Sequence, residues 1–119
     1  MHHYFYNPEL MMPSRDFLGE FEQIVLLALI RLDDEAYGVP VRQDIEQRTG
    51  RAVSIGALYS TLDRLEEKRF IRSRFSDARP ERGGRSRRYF KVEAAGMRAL
   101  ERTRAALAAM WEGVQIRGN

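Results

Sequence analysis

The feature that most constrains this chain is a change of hydrophobic period just past its midpoint. Up to Lys68 apolar residues recur every three or four positions; from Ile71 they alternate; from Glu93 the helical spacing returns. Such a chain must set one short pair of strands among helices, because spacings of 3.6 and 2 are buried by different elements. The strongest segment is Phe17–Leu32, where Phe21, Ile24, Val25, Ala28, Leu29 and Leu32 follow the helical repeat. Leu26, Leu27 and Ile30 widen its apolar surface, and a helix that is apolar on most sides belongs at the centre of a domain.

A shorter helix is expected next. Tyr37-Gly38 breaks the chain, Pro40 suits a first helical turn, Val41 and Ile45 form an i, i+4 pair, and Gly50 is a C-terminal stop. A third helix then starts on Ser54 as N-cap, with Ile55, Leu58, Leu62 and Leu65 as its core stripe. Its opposite face carries Ala57, Ser60, Thr61, Arg64 and Lys68, small and polar at first and then basic. Ile71–Phe75 and Arg88–Val92 alternate as strands do, and the turn formers between them include Gly83-Gly84. This predicts a hairpin with a basic, glycine-bearing tip. The last helix should run from Glu93 to about Val114, with a heptad-like seam of Met97, Leu100, Arg104, Leu107, Trp111 and Val114.

Net charge is only +3, but its distribution is uneven. Between Arg69 and Lys91 stand nine cationic residues against Asp77 and Glu81, a balance of +7 on a chain otherwise at −4. A concentrated basic patch of this kind is the footprint of a polyanion binder. The 119 residues suffice for one domain core, and the absence of cysteine excludes disulfides and thiol catalysis. The longest apolar run, Ile24–Ile30, is seven residues, far short of the roughly 20 that a membrane helix needs. The Met-His-His-Tyr-Phe-Tyr start lacks the pattern of a secretory signal, so a cytoplasmic protein is expected. The only histidines are His2 and His3, and no carboxylate pair or phosphate loop stands in a catalytic setting. Neither an enzyme nor a bound cofactor or metal is expected.

Two short helices, a tight connection and a basic hairpin make a mostly helical α+β fold, the winged helix-turn-helix. A DNA major groove admits one helix, which needs a firm apolar back and a small, polar front. The third helix has both. Gly56 and Ala57 allow close backbone approach, Ser60, Thr61 and Arg64 can reach bases or phosphates, and Tyr59 can place its hydroxyl on a phosphate. Arg82, Arg85, Arg87 and Arg88 of the hairpin can follow a phosphate backbone, with Gly83 and Gly84 turning its tip. Residues 1–16 are expected as an irregular arm, 17–92 as the DNA-binding domain and 93–119 as a dimerisation helix. A winged helix that binds a protein or RNA through its basic hairpin is the alternative.

Three segments also resemble the PadR family of bacterial transcriptional regulators: Glu35-Ala36-Tyr37-Gly38, the run from Ser54 to Glu66, and Arg82-Gly83-Gly84-Arg85 with Arg88-Tyr89-Phe90. The short C-terminal extension is similar to the family's short subgroup. The resemblance implies a homodimer that binds an inverted-repeat operator in double-stranded DNA and represses. It also implies that the last helix forms much of the dimer interface and that small molecules relieve binding. By position, Ser54, Gly56, Ala57, Tyr59, Ser60 and Arg64 match the recognition helix, and Arg82 to Arg85 the wing tip. Trp111 on the dimer helix could stack on a planar hydrophobic effector. Two positions depart from the family pattern: Arg69 replaces the glycine common at the end of the recognition helix, and Glu93 replaces a capping threonine.

Overall fold

The computed structural model describes residues 17–76 and 86–117. Four helices and two strands follow in the order α1 (Glu20–Leu32), α2 (Gly38–Thr49), α3 (Ile55–Glu67), β1 (Ile71–Phe75), β2 (Arg88–Val92) and α4 (Ala94–Trp111). A single 3₁₀ turn, Asp33–Glu35, joins α1 to α2. Both strands occupy the span that their alternation predicts. They pair antiparallel from Ile71 opposite Val92 to Phe75 opposite Arg88, and the expected tip, including Arg82, Gly83, Gly84 and Arg85, lies outside the described residues.

Helix α1 is central, as its pattern demands. Val25, Leu26 and Ala28 have no exposed surface, and they meet Val41 and Ile45 of α2 and Leu58, Leu62 and Leu65 of α3 in one core. Burial of each such valine, leucine or isoleucine side chain contributes about 1.5–3 kcal/mol. The helix begins at Glu20 rather than Phe17, which is exposed. Gly19 caps it, and the Glu22 carboxylate accepts the Gly19 N–H at 2.9 Å, one arm of a capping box. Gly38 starts α2 instead of breaking the chain, with Tyr37 as N-cap, and Gly50 ends it in the left-handed conformation at φ 72°.

The end of α3 sets the direction of everything after it. The Arg69 N–H donates to the Glu66 carbonyl at 2.9 Å, and the Phe70 N–H reaches back to Leu65 at 3.0 Å. These two bonds, with Arg69 at φ 64°, make a Schellman motif, and the buried Leu65 and Phe70 supply its apolar contact. The left-handed turn is therefore kept although arginine stands there in place of glycine. The Phe70 carbonyl in turn accepts the Glu93 N–H at 2.8 Å, just before α4. A Cβ at Gly96 would fall onto that same carbonyl oxygen, so only glycine lets α4 lie so close. Glu93 is the N-cap of α4 but makes no side-chain cap; its carboxylate pairs with Arg72 at 3.3 Å.

The start of α4 packs through Gly96, Ala99 and Thr103, and every residue from Arg104 to Arg117 is exposed. Two substitutions test this account by urea denaturation. Arg69→Gly relieves the left-handed strain and should stabilise the fold by about 0.5–1 kcal/mol. Gly96→Ala overpacks the α4 contact and should destabilise it by about 1–3 kcal/mol.

Candidate nucleic-acid interface

The N-terminal turns of α3 are open. Ser54 caps the helix by accepting the Ala57 N–H on its hydroxyl at 3.1 Å, and Ser54, Ile55, Gly56, Ala57 and Ser60 are all exposed. Nothing lies within 4 Å of a Cβ built at Gly56, so another molecule can approach its backbone. Two side chains differ from the expected pattern. Ile55, assigned to the core stripe, is 45% exposed, whereas Thr61, assigned to the open face, is 3% exposed. At about 100° per residue, Thr61 stands only about 60° from Leu58, inside the buried arc. Ile55 lies as far to the other side and at the very start of the helix, where little covers it. Thr61 therefore turns inward and accepts a hydrogen bond from Arg64 Nη2 at 3.3 Å.

The second half of α3 is tied down. Lys68 Nζ stands 3.0 Å from Glu22 Oε2 and Arg64 Nε 3.8 Å from the same atom, so both bind α3 to α1. Arg64 nonetheless keeps 53% of its side chain exposed. Burial alone would raise the Glu22 carboxyl; the Gly19 N–H and Lys68 outweigh it and hold it below the ordinary range. Tyr59 is half-buried with its ring edge-on to Phe90, centroids 6.4 Å apart. Its hydroxyl covers Gly38, where a Cβ would strike it. The tyrosine thus joins α3 to α2 rather than projecting freely.

Strand parity explains the wing. Ser73 and Phe75 share a face with their partners Phe90 and Arg88, and Arg74 and Tyr89 share the other. On the first face Arg88 Nη2 reaches Glu66 Oε1 at 2.6 Å and Arg88 Nη1 reaches Asp63 Oδ1 at 3.3 Å. The Arg88 Nε also donates to Ser73 Oγ at 3.2 Å, and that hydroxyl donates to Glu66 Oε2 at 2.8 Å. Arg88, expected to follow phosphates, instead brackets the wing to α3. Sequence reading missed Asp63, Glu66 and Ser73 as its partners, although Arg88 shares strand parity with the buried Phe90 and so had to point inward.

On the other face Arg74 stacks over Tyr89 at 4.7 Å and Arg87 over Tyr37 at 4.5 Å. Tyr37 and Tyr89 meet edge to face at 5.4 Å and form a β-bridge, which holds the base of the wing against the start of α2. Arg72 stands opposite Lys91, a like-charged pair that is unfavourable by itself. Glu93 answers the first and Asp33 the second, the latter at 3.0 Å.

Three helices followed by a strand pair bracketed to the third helix define a winged helix-turn-helix. Residues 26–102 match the transcriptional regulator PadR-like family, and the chain belongs to that family. Solved structures share the fold. A transcriptional regulator from Clostridium thermocellum superposes with a TM-score of 0.63 at 22% identity, over 76% of this chain and 85% of that one. A PadR family transcriptional regulator from Eggerthella lenta gives 0.61 at 23%, over 79% and 81%. One from Clostridium difficile gives 0.57 at 24%, over 75% and 91%. No match was found among curated proteins. Among the described residues no helix is long and apolar enough to cross a membrane.

The bracket has a pH signature. Burial raises the Glu66 carboxyl, but hydrogen bonds from Ser73 and Arg88 outweigh it and leave it below its ordinary range. Asp44 is lowered by the hydrogen bond from Arg31, which offsets its desolvation. A carboxyl lowered in the folded state contributes stability above its unfolded value, and that stability is lost as pH falls through the folded one. Urea midpoints should hold from pH 7 to about pH 5 and decline below about pH 4.3. Glu66→Gln should make that decline shallower.

Proposed function

We propose that this chain is a homodimeric, sequence-specific DNA-binding regulator that acts in the cytoplasm as a repressor. The observation that carries the reading is the open, capped start of α3 beside a wing bracketed to the same helix. Ser54, Gly56, Ala57 and Ser60 would approach base edges, with Arg64 at their flank. Arg87 and the tip residues Arg82, Gly83, Gly84 and Arg85 would contact phosphates, while Tyr59, Thr61 and Arg88 act by holding α3 and the wing in place. Residues 17–92 serve as the DNA-binding domain and 93–119 as the dimerisation helix.

The exposed apolar seam of α4 and the residues just after it support a dimer. Met97, Leu107 and Trp111 of α4, which ends at Trp111 short of the expected Val114, and Val114 itself are 42–55% exposed. Leu27 and Ile30 of α1 line a groove of about 310 Å³ with Met97, Leu100, Arg104 and Leu107. Contiguous exposed apolar surface of this kind marks an association site. Two such helices in one dimer set two copies of α3 on an inverted-repeat operator, about one DNA turn apart. Trp111, 54% exposed, would offer a flat surface to a planar hydrophobic effector that relieves repression.

Fluorescence anisotropy with DNA from upstream of the chain's own gene, against scrambled DNA at several salt concentrations, tests the reading. One duplex should be preferred, with affinity falling steeply as salt rises. Arg87→Ala should reduce the slope against salt by about one, as loss of a phosphate contact does. Arg88→Ala should weaken binding with the slope unchanged. Equal, weak binding to every duplex, or a preference for RNA, would refute the proposal. Leu107→Glu should yield monomers in sedimentation and lose tight operator binding.

A further inference from the structure

Exposed apolar side chains gather beside the wing. Val39 at the start of α2 is 54% exposed and Phe75 at the end of β1 is 68% exposed. Both line one open groove with Tyr37, Tyr59 and Arg87. Ile55, 45% exposed, lies one helical turn before Tyr59 and so extends the same strip along α3. The strip borders a strongly cationic segment, which favours an anionic partner over an apolar protein surface.

Ile55 differs from the rest of the strip in its position. It is the first residue of α3, set between the cap Ser54 and the open Gly56 and Ala57. The residues at the start of a recognition helix are those that meet base edges. An isoleucine side chain neither donates nor accepts a hydrogen bond, and the major-groove edges of the four bases otherwise present donors and acceptors. The apolar group among them is the 5-methyl of thymine. Resting on the DNA-binding reading above, we infer that Ile55 is a specificity residue that reads a thymine methyl in each half-site. Contact with the methyl removes exposed isoleucine surface from water in the bound state, and a cytosine at that position leaves only a C5–H there, with an amino group beside it in place of the carbonyl.

Deoxyuridine differs from thymidine by that methyl alone, which gives a direct test. Duplexes bound by the full chain are selected from a random pool, and each thymine of the selected site is replaced in turn by deoxyuridine. At one thymine per half-site the replacement should weaken wild-type binding about fourfold, the effect of about one buried methylene. Ile55→Ala should bind the thymine duplex about fourfold more weakly or worse and should not distinguish it from the deoxyuridine duplex. Ile55→Val should retain most of the discrimination, and unchanged thermal melts of both variants would show that neither acts through folding. Indifference of the wild type at every thymine, or discrimination that survives Ile55→Ala, would overturn the assignment while leaving DNA binding intact. Selection that enriches no duplex would overturn DNA binding, and this assignment with it.

Discussion

The rest of the structure depends on the backbone of Phe70. Its N–H closes α3 through Leu65, its carbonyl accepts from Glu93 where α4 begins, and its side chain is buried in the core. One residue, through the two peptide groups that flank it, thus fixes the end of the third helix, the start of the first strand and the approach of the last helix. Arg69 must take a left-handed conformation for this to happen, and Gly96 must lack a Cβ. The strain at Arg69 is affordable because two hydrogen bonds and the contact of Leu65 with Phe70 exceed it. Arginine also keeps a positive charge at the mouth of the wing.

From this corner the molecule divides α3 into two functions. The second half is held to α1 through Glu22 and to the wing through Glu66, so it moves with the core. The start has a satisfied cap, and Ser54 to Ala57 and Ser60 are exposed. A rigid base with an open tip is what a helix needs to enter a groove at little ordering cost, since little conformational entropy remains to be lost. Exposed ion pairs are individually worth only about 0–1 kcal/mol. The Arg88 bracket draws on more than one: a guanidinium, two carboxylates and a hydroxyl share a partly buried site, and the ring of Phe90 lies under it at 4.9 Å.

Much of this was legible in the residues. The period change located both strands, and the spacing of Leu58, Leu62 and Leu65 gave the buried side of α3. The departures have separate physical causes. Counting from Ile55 by threes and fours fits the stripe, yet it treats the first residue of a helix as if neighbours covered it. The hydroxyl of Thr61 argues for the open face, yet its angle about the axis lies within the buried arc. Charge alone sends Arg88 to phosphates, but strand parity with the buried Phe90 turns it inward. The partners of Arg88 were not legible, because Glu66 and Asp63 lie more than twenty positions away and only the fold brings them together. The family resemblance, by contrast, was carried by short motifs that sit where α2 begins, along α3 and on β2.

On the proposed reading, the start of α3 and the base of the wing form one face for DNA, separate from the exposed half of α4. Amide hydrogen exchange of the full chain, with and without a selected duplex, tests it most directly. Residues 54–60 and 86–89 should exchange more slowly in the presence of DNA, with 104–114 unchanged by it. Slowing confined to 104–114, or none in 54–60, would contradict the account.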